Sequence, residues 1–281
     1  MRSLKMFAVL NKQDLARDII ELIVEAPVIA QKAKAGQFVT IVIDEKGERV
    51  PLTLAQWDKD KGTITLIFQK VGYTTKKLGS LNKGDNIAHI LGPLGHPTEI
   101  KNIGEVYCVG GGVGIAEVYP VARAFKEAGN RVIGIIGARS KDMLILEDKM
   151  NGVGDELFIT TDDGSYGLKG FVTDTLKELF GVIEKSTHTK YPGLVYAIGP
   201  VPMMKAVSEF TRGYQIKTIV SINPIMVDAT GMCGACRCTV GGKTVFGCVD
   251  GPDFDAQQID FDELQARLNL FKTQEGKLNY E

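Results

Sequence analysis

Val106-Tyr-Cys-Val-Gly-Gly-Gly-Val-Gly-Ile-Ala-Glu117 is the segment of this sequence most typical of one fold class. An apolar run of strand type leads into four glycines, and a helical pattern follows with its apolar face at Ile115, Val118, Ala122 and Phe125. A strand, a glycine loop and a helix in this order are typical of a doubly wound α/β domain. The glycines would let a phosphate approach the N–H groups at the helix N-terminus. Close packing of the strand against the helix would select the same residues, so both interpretations stay open.

The alternation of strands and helices continues after this motif. Strands are predicted at 131–136, 157–160, 194–198 and 217–222, and helices near 144–150, 171–181 and 201–212. Strands that alternate with helices imply a parallel sheet. We therefore predict a nucleotide-binding α/β domain at 99–222.

Two further groups follow the predicted strands at the carboxyl edge of this sheet, where open α/β folds bind ligands. Gly199 and Pro200 come directly after one strand, and Asp162 follows another. Asp162, with Asp163 and Ser165, fits a helix cap or a β-turn equally well. Arg139 and Asp142 both follow the second strand, so the sequence leaves the choice between NAD and NADP open.

The first hundred residues have the period of two that β-strands show. Ile20, Leu22 and Val24 alternate with Glu21 and Glu25, which predicts an inner apolar face and an outer acidic face. Further runs at 36–43 and 63–68 are separated by turn residues. The pattern predicts a β-barrel or sandwich at 1–98, ending in a stretch rich in glycine and proline.

Four of the five cysteines lie within 16 residues of the predicted C-terminal segment at 223–281. Asp228-x4-Cys233-x2-Cys236, followed by Cys248, has the plant-type [2Fe–2S] spacing if aspartate takes the first ligand position. Cys238 could replace Asp228 as the fourth ligand. A zinc site of Cys233, Cys236, Cys238 and Cys248 is the rival interpretation, and a group of buried thiols without metal is the simplest one.

The composition excludes several classes of protein. The 281 residues carry 33 Lys and Arg against 34 Asp and Glu, so no basic field favours nucleic acid. No apolar run approaches the roughly 20 residues that span a bilayer. The first residues lack the apolar region and cleavage site of a signal peptide, so we expect no membrane association and a cytoplasmic location.

Barrel, nucleotide domain and cysteine segment together resemble the ferredoxin-reductase superfamily, most closely the group that includes the electron-transfer subunit of dihydroorotate dehydrogenase. The resemblance covers essentially the whole chain and implies FAD on the barrel. The flavin contacts it implies lie on a strand, at Pro51, Leu52 and Thr53, and in a phosphate loop, at Gly72, Thr74 and Thr75. The usual R-x-Y-[ST] motif is altered, because Val50 stands where arginine is expected and Arg49 is displaced by one position.

The resemblance also implies the other two cofactor sites. NAD(H) would lie against Gly110, Gly111, Gly112, Gly114, Gly199 and Pro200, and the [2Fe–2S] cluster would be held by Asp228, Cys233, Cys236 and Cys248. Asp162 is a further candidate for the nucleotide site, from its place at the carboxyl edge of the predicted sheet. The cofactors would perform the chemistry themselves, so no catalytic side chain is expected.

The function implied is hydride exchange between NAD(H) and FAD, with single electrons passed to the cluster. The family further implies a heterodimer with a larger subunit that carries another flavin and [4Fe–4S] clusters. In one branch this pair bifurcates electrons and reaches ferredoxin and NADP(H) through the larger subunit. That branch has aspartate as first ligand, as at Asp228, whereas the dihydroorotate relatives have cysteine. The alternatives are the dihydroorotate subunit itself and a zinc-stabilised interaction module on a flavoprotein.

Overall fold

The computed structural model describes residues 7–45, 47–185 and 190–271. The strands are β1 Phe7–Ala16, β2 Ile19–Glu25, β3 Phe38–Val42, β4 Val50–Asp58, β5 Thr63–Gln69, β6 Asn86–Ile87, β7 His89–Leu94, β8 Glu105–Gly111, β9 Arg131–Ala138, β10 Glu156–Thr161, β11 Leu168–Lys169, β12 Leu194–Ile198, β13 Thr218–Ser221, β14 Arg237–Val240, β15 Lys243–Phe246 and β16 Asp253–Asp255. The helices are α1 Pro27–Lys32, α2 Tyr73–Ser80, α3 Ile115–Glu127, α4 Glu147–Val153, α5 Val172–Glu184, α6 Val201–Gly213 and α7 Phe261–Leu268.

The N-terminal strands form one antiparallel sheet in the order β6-β1-β2-β5-β4-β3-β7. Its two edge strands, β6 and β7, are separated in the chain by Ala88 alone, so the sheet curls back on itself into a nearly closed barrel. Leu22, Leu54 and Leu66 are fully buried inside it. The barrel expected from the sequence is confirmed. Strand β1 and helix α1, which the sequence pattern did not predict, are additional.

The outer face of β2 is exposed at Glu25, as the alternation predicted, but not at Glu21. Ile20, Leu22 and Val24 do lie in the barrel core, but Glu21 is only 8% exposed. Its carboxylate lies 3.4 Å from Lys149 Nζ of helix α4. The prediction of an exposed Glu21 was wrong because this face of the barrel is covered by the nucleotide domain, which a local pattern cannot show.

The second sheet has the order β11-β10-β9-β8-β12-β13-β16. Its first six strands are parallel, as predicted, and their bounds lie within two residues of the sequence prediction where one was made. Helices α3 and α4 pack on one face, and α5 and α6 on the other, so the sheet is doubly wound. Helix α4 begins three residues later than expected, because Lys141–Met143 forms a short 3₁₀ turn before it.

The residues after 222 form a hairpin, β14–β15, and then rejoin the nucleotide sheet. Strand β16 pairs antiparallel with β13, from Ile219 opposite Asp255 to Ser221 opposite Asp253. The sheet is therefore parallel except for its last strand. Helix α7 follows and packs against α6, with Phe261 and Leu264 buried in the same core. Part of the C-terminal segment thus completes the nucleotide domain.

A buried polar junction joins all three regions. The Tyr196 hydroxyl of β12 donates a hydrogen bond to Asp253 Oδ1 at 2.8 Å, and the Thr98 hydroxyl donates to Asp253 Oδ2 at 2.6 Å. Thr98 lies just after the barrel, and Asp253 lies on β16. No helix within the described residues is long and apolar enough to cross a membrane.

Candidate functional site

A cleft of about 1110 Å³ lies where the barrel, the nucleotide sheet and the C-terminal segment meet. The barrel contributes residues 48–53 with the loop at 71–75, and the nucleotide domain contributes Val113 and Glu117. Residues 221–226, which lead from β13 towards the cysteines, form a further part of the wall. Ligand clefts in proteins reach about 1,000 Å³, so this space is large enough for an extended cofactor.

The flavin-contacting strand predicted from the resemblance is β4. Pro51, Leu52 and Thr53 lie at its first half and line the cleft. Arg49, just before the strand, lines the cleft as well, but its guanidinium is engaged by the cysteine segment. The structure therefore brings the three predicted residues to one wall of a space that can accept a flavin.

The predicted phosphate loop lies at the start of helix α2. The Thr75 hydroxyl accepts hydrogen bonds from the N–H groups of Val71 and Gly72, both at 3.0 Å, and so caps the helix itself. Thr74 donates a longer hydrogen bond, 3.4 Å, to Glu48. A Cβ at Gly72 would meet no heavy atom, so open space lies in front of this glycine. The loop fits an incoming phosphate at Gly72, whereas the Thr75 hydroxyl already serves the helix N-terminus.

The glycines of the nucleotide loop divide into two kinds. A Cβ on Gly110 would lie 2.9 Å from Val118, on Gly111 2.4 Å from Met203, and on Gly114 2.6 Å from the Ile198 carbonyl. All three pack closely within the protein, against backbone atoms at Gly110 and Gly114 and against the flexible end of Met203 at Gly111. Gly112 has φ +57°, and a Cβ there would meet nothing within 4 Å. It is the glycine of this loop whose surroundings fit a ligand.

The structure brings Gly199 and Pro200 against this loop. A Cβ on Gly199 would lie 3.2 Å from the Cα of Gly111, because β8 and β12 are neighbours and end at the same edge. Asp162 also follows a strand end, but β10 is two strands away from β8. The next residues form a turn of their own, in which Asp163 Oδ1 accepts from the N–H of Ser165 at 2.9 Å.

The cysteines of the C-terminal segment lie in different environments. Cys236 Sγ lies 3.3 Å from Cys248 Sγ, and both side chains are buried with Phe38, Met226 and Ala229. Burial, and next the hydrogen bond with Cys236, raise the pKa of the Cys248 thiol to about 12. Cys238 is buried in the core of the nucleotide sheet, and this burial raises the pKa of its thiol to about 11. The pair of Cys236 and Cys248 is thus separated from Cys238.

Cys233 and Asp228 lie on the exposed loop that precedes this pair. The N–H groups of Ala235 and Asp228 lower the pKa of the Cys233 thiol, which favours the thiolate that a metal requires. Within the described residues, no three histidine, cysteine or acidic side chains converge as they would around one metal ion. A [2Fe–2S] cluster divides its four ligands between two irons, so it does not require that convergence.

Asp228 is held by two neighbours. Its Oδ2 accepts from the hydroxyl of Thr230 and, at 3.0 Å, from the Thr230 N–H. Its Oδ1 accepts from Arg49 at 2.6 Å, and Arg49 also donates to the Asp228 carbonyl at 2.9 Å. The Thr230 hydroxyl, with smaller contributions from the Thr230 N–H and Arg49, lowers the pKa of this carboxyl and keeps it ionised. Sequence reasoning missed this role of Arg49, since 179 positions separate the two residues.

The comparisons with known proteins match the regions just described. The iron–sulfur cluster binding domain of dihydroorotate dehydrogenase B matches residues 223–260, and the oxidoreductase NAD-binding domain matches residues 108–209. A dihydroorotate dehydrogenase B (NAD(+)) electron transfer subunit homolog from Thermotoga maritima is 45% identical over 273 residues, covering 97% of this chain and 94% of the relative. The chain belongs to this family.

Two other relatives extend the comparison. The dihydroorotate dehydrogenase B (NAD(+)) electron transfer subunit of Fusobacterium nucleatum is 32% identical, covering 88% of this chain and 95% of its own length. A chain of the NADH-dependent reduced ferredoxin-NADP oxidoreductase, whose structure was solved to study flavin-based electron bifurcation, is 43% identical. It superposes with a TM-score of 0.90 and covers 98% of this chain and 97% of its own.

The chain is therefore an electron-transfer subunit of an oxidoreductase, of the dihydroorotate dehydrogenase B type. Such a subunit works with a larger catalytic partner subunit. The cofactors expected from the sequence, FAD, a [2Fe–2S] cluster and NAD(H), are supported by these matches. The resemblance to the ferredoxin-reductase superfamily is confirmed.

Proposed function

We propose that this chain is the NAD-reactive subunit of an electron-bifurcating NADH-dependent ferredoxin:NADP⁺ oxidoreductase. The observation that carries the proposal is the match over almost the full length of both chains to the oxidoreductase of that name, at a TM-score of 0.90. Asp228 at the first ligand position supports this branch over the dihydroorotate subunits, in which the family pattern has cysteine. The partner would be a larger subunit with a flavin and [4Fe–4S] clusters, which reaches ferredoxin and NADP(H).

FAD would be held in the cleft between the barrel and the nucleotide sheet. Bound FAD would accept two electrons together as a hydride and pass them on as single electrons. Pro51, Leu52 and Thr53 would contact it along β4, and the N–H groups near Gly72, with Thr74, would hold its phosphates. The capping role of Thr75 makes it a support for this loop.

NAD(H) would bind at the carboxyl edge of the nucleotide sheet. The open space at Gly112 would admit its phosphates, and Gly199 with Pro200 would bound the nicotinamide end. Gly110, Gly111 and Gly114 would allow the close approach of β8, α3 and α6 that shapes this edge. Asp162, two strands away, would contact the more distant part of the nucleotide.

Asp228, Cys233, Cys236 and Cys248 would hold the [2Fe–2S] cluster. Cys238 is buried in a different apolar core from Cys236 and Cys248. This separation supports Asp228, and not Cys238, as the fourth ligand. Arg49 and Thr230 would fix the orientation of its carboxylate. The start of the cysteine segment also lines the cleft, which provides a short route between flavin and cluster.

The test begins with the full chain purified without oxygen. We expect flavin absorbance that NADH bleaches faster than NADPH, and a rhombic EPR signal after reduction. Zinc in place of iron, with no such signal, would falsify the electron-transfer proposal and favour the interaction module. A faster reaction with NADPH would contradict the assignment of NAD(H) to this subunit.

A second experiment separates the two flavoprotein candidates through the co-purified partner. The complex of a bifurcating enzyme reduces ferredoxin with NADPH only when NAD⁺ is present. The dihydroorotate candidate, which the names of the relatives favour, instead reduces NAD⁺ with dihydroorotate. Dihydroorotate-dependent activity without NADPH-dependent ferredoxin reduction would replace the proposed function with that candidate.

A further inference from the structure

Two arginines donate hydrogen bonds to the backbone of the cysteine loop at 233–236, which begins and ends at proposed cluster ligands. Arg267, in the last turn of helix α7, donates to the Ala235 carbonyl at 3.0 Å. Arg237, at the start of β14, donates to the Gly234 carbonyl at 3.2 Å. Within the part of the chain that the structure describes, neither guanidinium pairs with a carboxylate. Both positive charges are therefore directed at peptide carbonyls of this loop.

The peptide between Gly234 and Ala235 shows what this arrangement does. Its carbonyl accepts from Arg237, and its N–H donates to Cys233 Sγ at 3.5 Å. The two groups of a trans peptide point in opposite directions, so a carbonyl held by the arginine turns the N–H towards the sulfur. The guanidinium thus helps to fix a hydrogen-bond donor on a proposed cluster ligand.

The next peptide has the same polarity. Arg267 holds the Ala235 carbonyl, and the peptide is trans, so the N–H of Cys236 points away from the guanidinium. Among the described residues, this N–H has no backbone hydrogen-bond partner. It is therefore available to donate to a sulfur of the cluster that the loop would hold.

Donors and positive charge on this loop favour the reduced state of a cluster. An iron–sulfur cluster gains one negative charge with each electron, and N–H groups that bond its sulfurs stabilise that charge. A guanidinium close to the loop acts in the same direction through Coulomb attraction. A peptide of the opposite orientation would present its carbonyl oxygen to the sulfur and would have the opposite effect.

We propose that Arg267 and Arg237 are positioning residues that raise the reduction potential of the [2Fe–2S] cluster. They act through the peptides of the loop and through their charge, not as ligands. The inference rests on the proposed function, because it requires a cluster held by the cysteine segment. A higher potential makes that cluster a better acceptor of electrons from the flavin.

Arg267 has the larger effect of the two. Its side chain is half-buried, and within the described residues its guanidinium is the sole hydrogen-bond partner of the Ala235 carbonyl. Arg237 is exposed, and its own backbone N–H also donates to the Gly234 carbonyl at 3.3 Å. That carbonyl therefore keeps one partner when the Arg237 side chain is removed.

The experiment is a redox titration of the full chain, purified without oxygen, in which the EPR signal of the reduced cluster is measured against the solution potential. At the potential where the parent cluster is half reduced, Arg267→Met should lower the ratio of reduced to oxidised cluster about tenfold, which is a midpoint about 59 mV lower. Arg237→Met should lower the same ratio by less, about threefold.

Arg212→Met is the matched control. Arg212 of helix α6 donates to the Gln257 carbonyl at 2.9 Å, outside the cysteine loop. The change removes the same charge and the same type of hydrogen bond, and the ratio should stay within about twofold of the parent. A shift as large as that in Arg267→Met would overturn the proposal, because net charge alone would then set the potential.

Conservative variants separate charge from position. Arg267→Lys retains the charge and a donor, so its midpoint should lie nearest to that of the parent. Arg267→Gln retains a donor without the charge, and its midpoint should lie between those of Arg267→Lys and Arg267→Met. If Arg267→Met loses its cluster, the other two variants carry the test: a lower midpoint in Arg267→Gln supports the proposal, and equal midpoints overturn it.

Two further measurements keep the outcomes distinct. A parent chain without iron and without the rhombic EPR signal contradicts the proposed function itself. An Arg267→Met chain with the iron content and the midpoint of the parent overturns the role of the arginines alone, even if its free energy of unfolding is lower. The midpoint of the flavin, followed by absorbance in the same titration, should be equal in the parent and in Arg267→Met.

Discussion

The nucleotide sheet and the cysteine segment at 223–250 differ in what holds them together. The sheet carries an apolar core on each face, built from long runs of buried strand and helix residues. The cysteine segment has one hairpin and a core of five buried residues, of which Phe38 comes from the barrel and Cys236 and Cys248 are thiols. Gly231 and Gly234, with φ of +89° and +66°, shape its loop.

We expect the two regions to depend on their cofactors to different degrees. Burial of apolar surface is the main favourable term in folding, and the nucleotide sheet has ample burial without any ligand. The cysteine segment buries too little to order its loop in the same way, so bonds to a metal would contribute much of its stability. Each of the following predictions tests that contrast.

The largest effect is expected from Cys236→Ala. Cys236 and Cys248 form a pair in the small core, and removal of one thiolate would leave an iron of the proposed cluster without its ligand. The rhombic EPR signal should be lost completely, while flavin absorbance is retained. Cys238→Ala is the matched control, because Cys238 lies in the apolar core of the sheet. Loss of the signal in Cys238→Ala with its retention in Cys236→Ala would reassign the ligands.

The second effect concerns the nucleotide sheet. Phe180 of α5 is fully buried and contacts the rings of Tyr107, Phe210 and Tyr214. Phe180→Ala should lower the free energy of unfolding by about 3–5 kcal/mol in a urea titration, with the cluster signal unchanged. Phe171→Ala, at an exposed ring before the same helix, should cost less than about 0.5 kcal/mol. Equal costs at the two positions would contradict the dependence of the nucleotide sheet on its apolar core.

A third effect tests the buried polar junction of Tyr196, Thr98 and Asp253. Burial raises the pKa of Asp253 to about 6 from its ordinary 3.8. Between these values the folded chain holds a proton that the unfolded chain releases, so stability falls as pH rises from about 4 to 6. The loss amounts to about 3 kcal/mol over this window.

Asp253→Asn should remove that part of the pH dependence. The measurement is the free energy of unfolding at pH 4.5 and 7 for both chains, where the parent should lose more than the variant. One of the Tyr196 and Thr98 hydroxyls can still donate to the amide oxygen, and the other can accept from the amide NH2 group, so the fold should be retained. Identical pH profiles would show that Asp253 titrates normally.

The smallest effect on stability is expected from Arg49→Met. Arg49 joins the barrel to the cysteine loop, but its side chain is 41% exposed, so solvent screens the ion pair with Asp228. The free energy of unfolding should change by about 0.2–1 kcal/mol. The cluster EPR spectrum should change shape, since the Asp228 carboxylate loses a hydrogen bond. Lys61→Met, at an exposed pair with Asp58 on the barrel, should leave that spectrum unaltered.

The elements predicted from the sequence agreed best with the observed fold where the local residue pattern was strong. The apolar run at 194–198 predicted β12 at its observed bounds, because a fully buried parallel strand is apolar at every position. Strand β1 was missed, since Phe7–Ala16 carries polar residues at many positions and has mostly half-buried or exposed side chains. Glu21 was assigned to an outer face because alternation shows that a strand has an apolar and a polar face. It does not show whether another domain covers the polar face.

The order of a barrel, a parallel sheet and a cysteine segment could be predicted from the sequence, because alternation, helical spacing, glycines and cysteine spacing are short-range patterns. Tertiary structure alone decided which of these residues meet. It brought Arg49 to Asp228, separated Cys238 from Cys236 and Cys248, and assigned three of the loop glycines to packing while leaving Gly112 open. Such contacts join distant parts of the chain, and their energies depend on burial and geometry that exist only once the chain is folded.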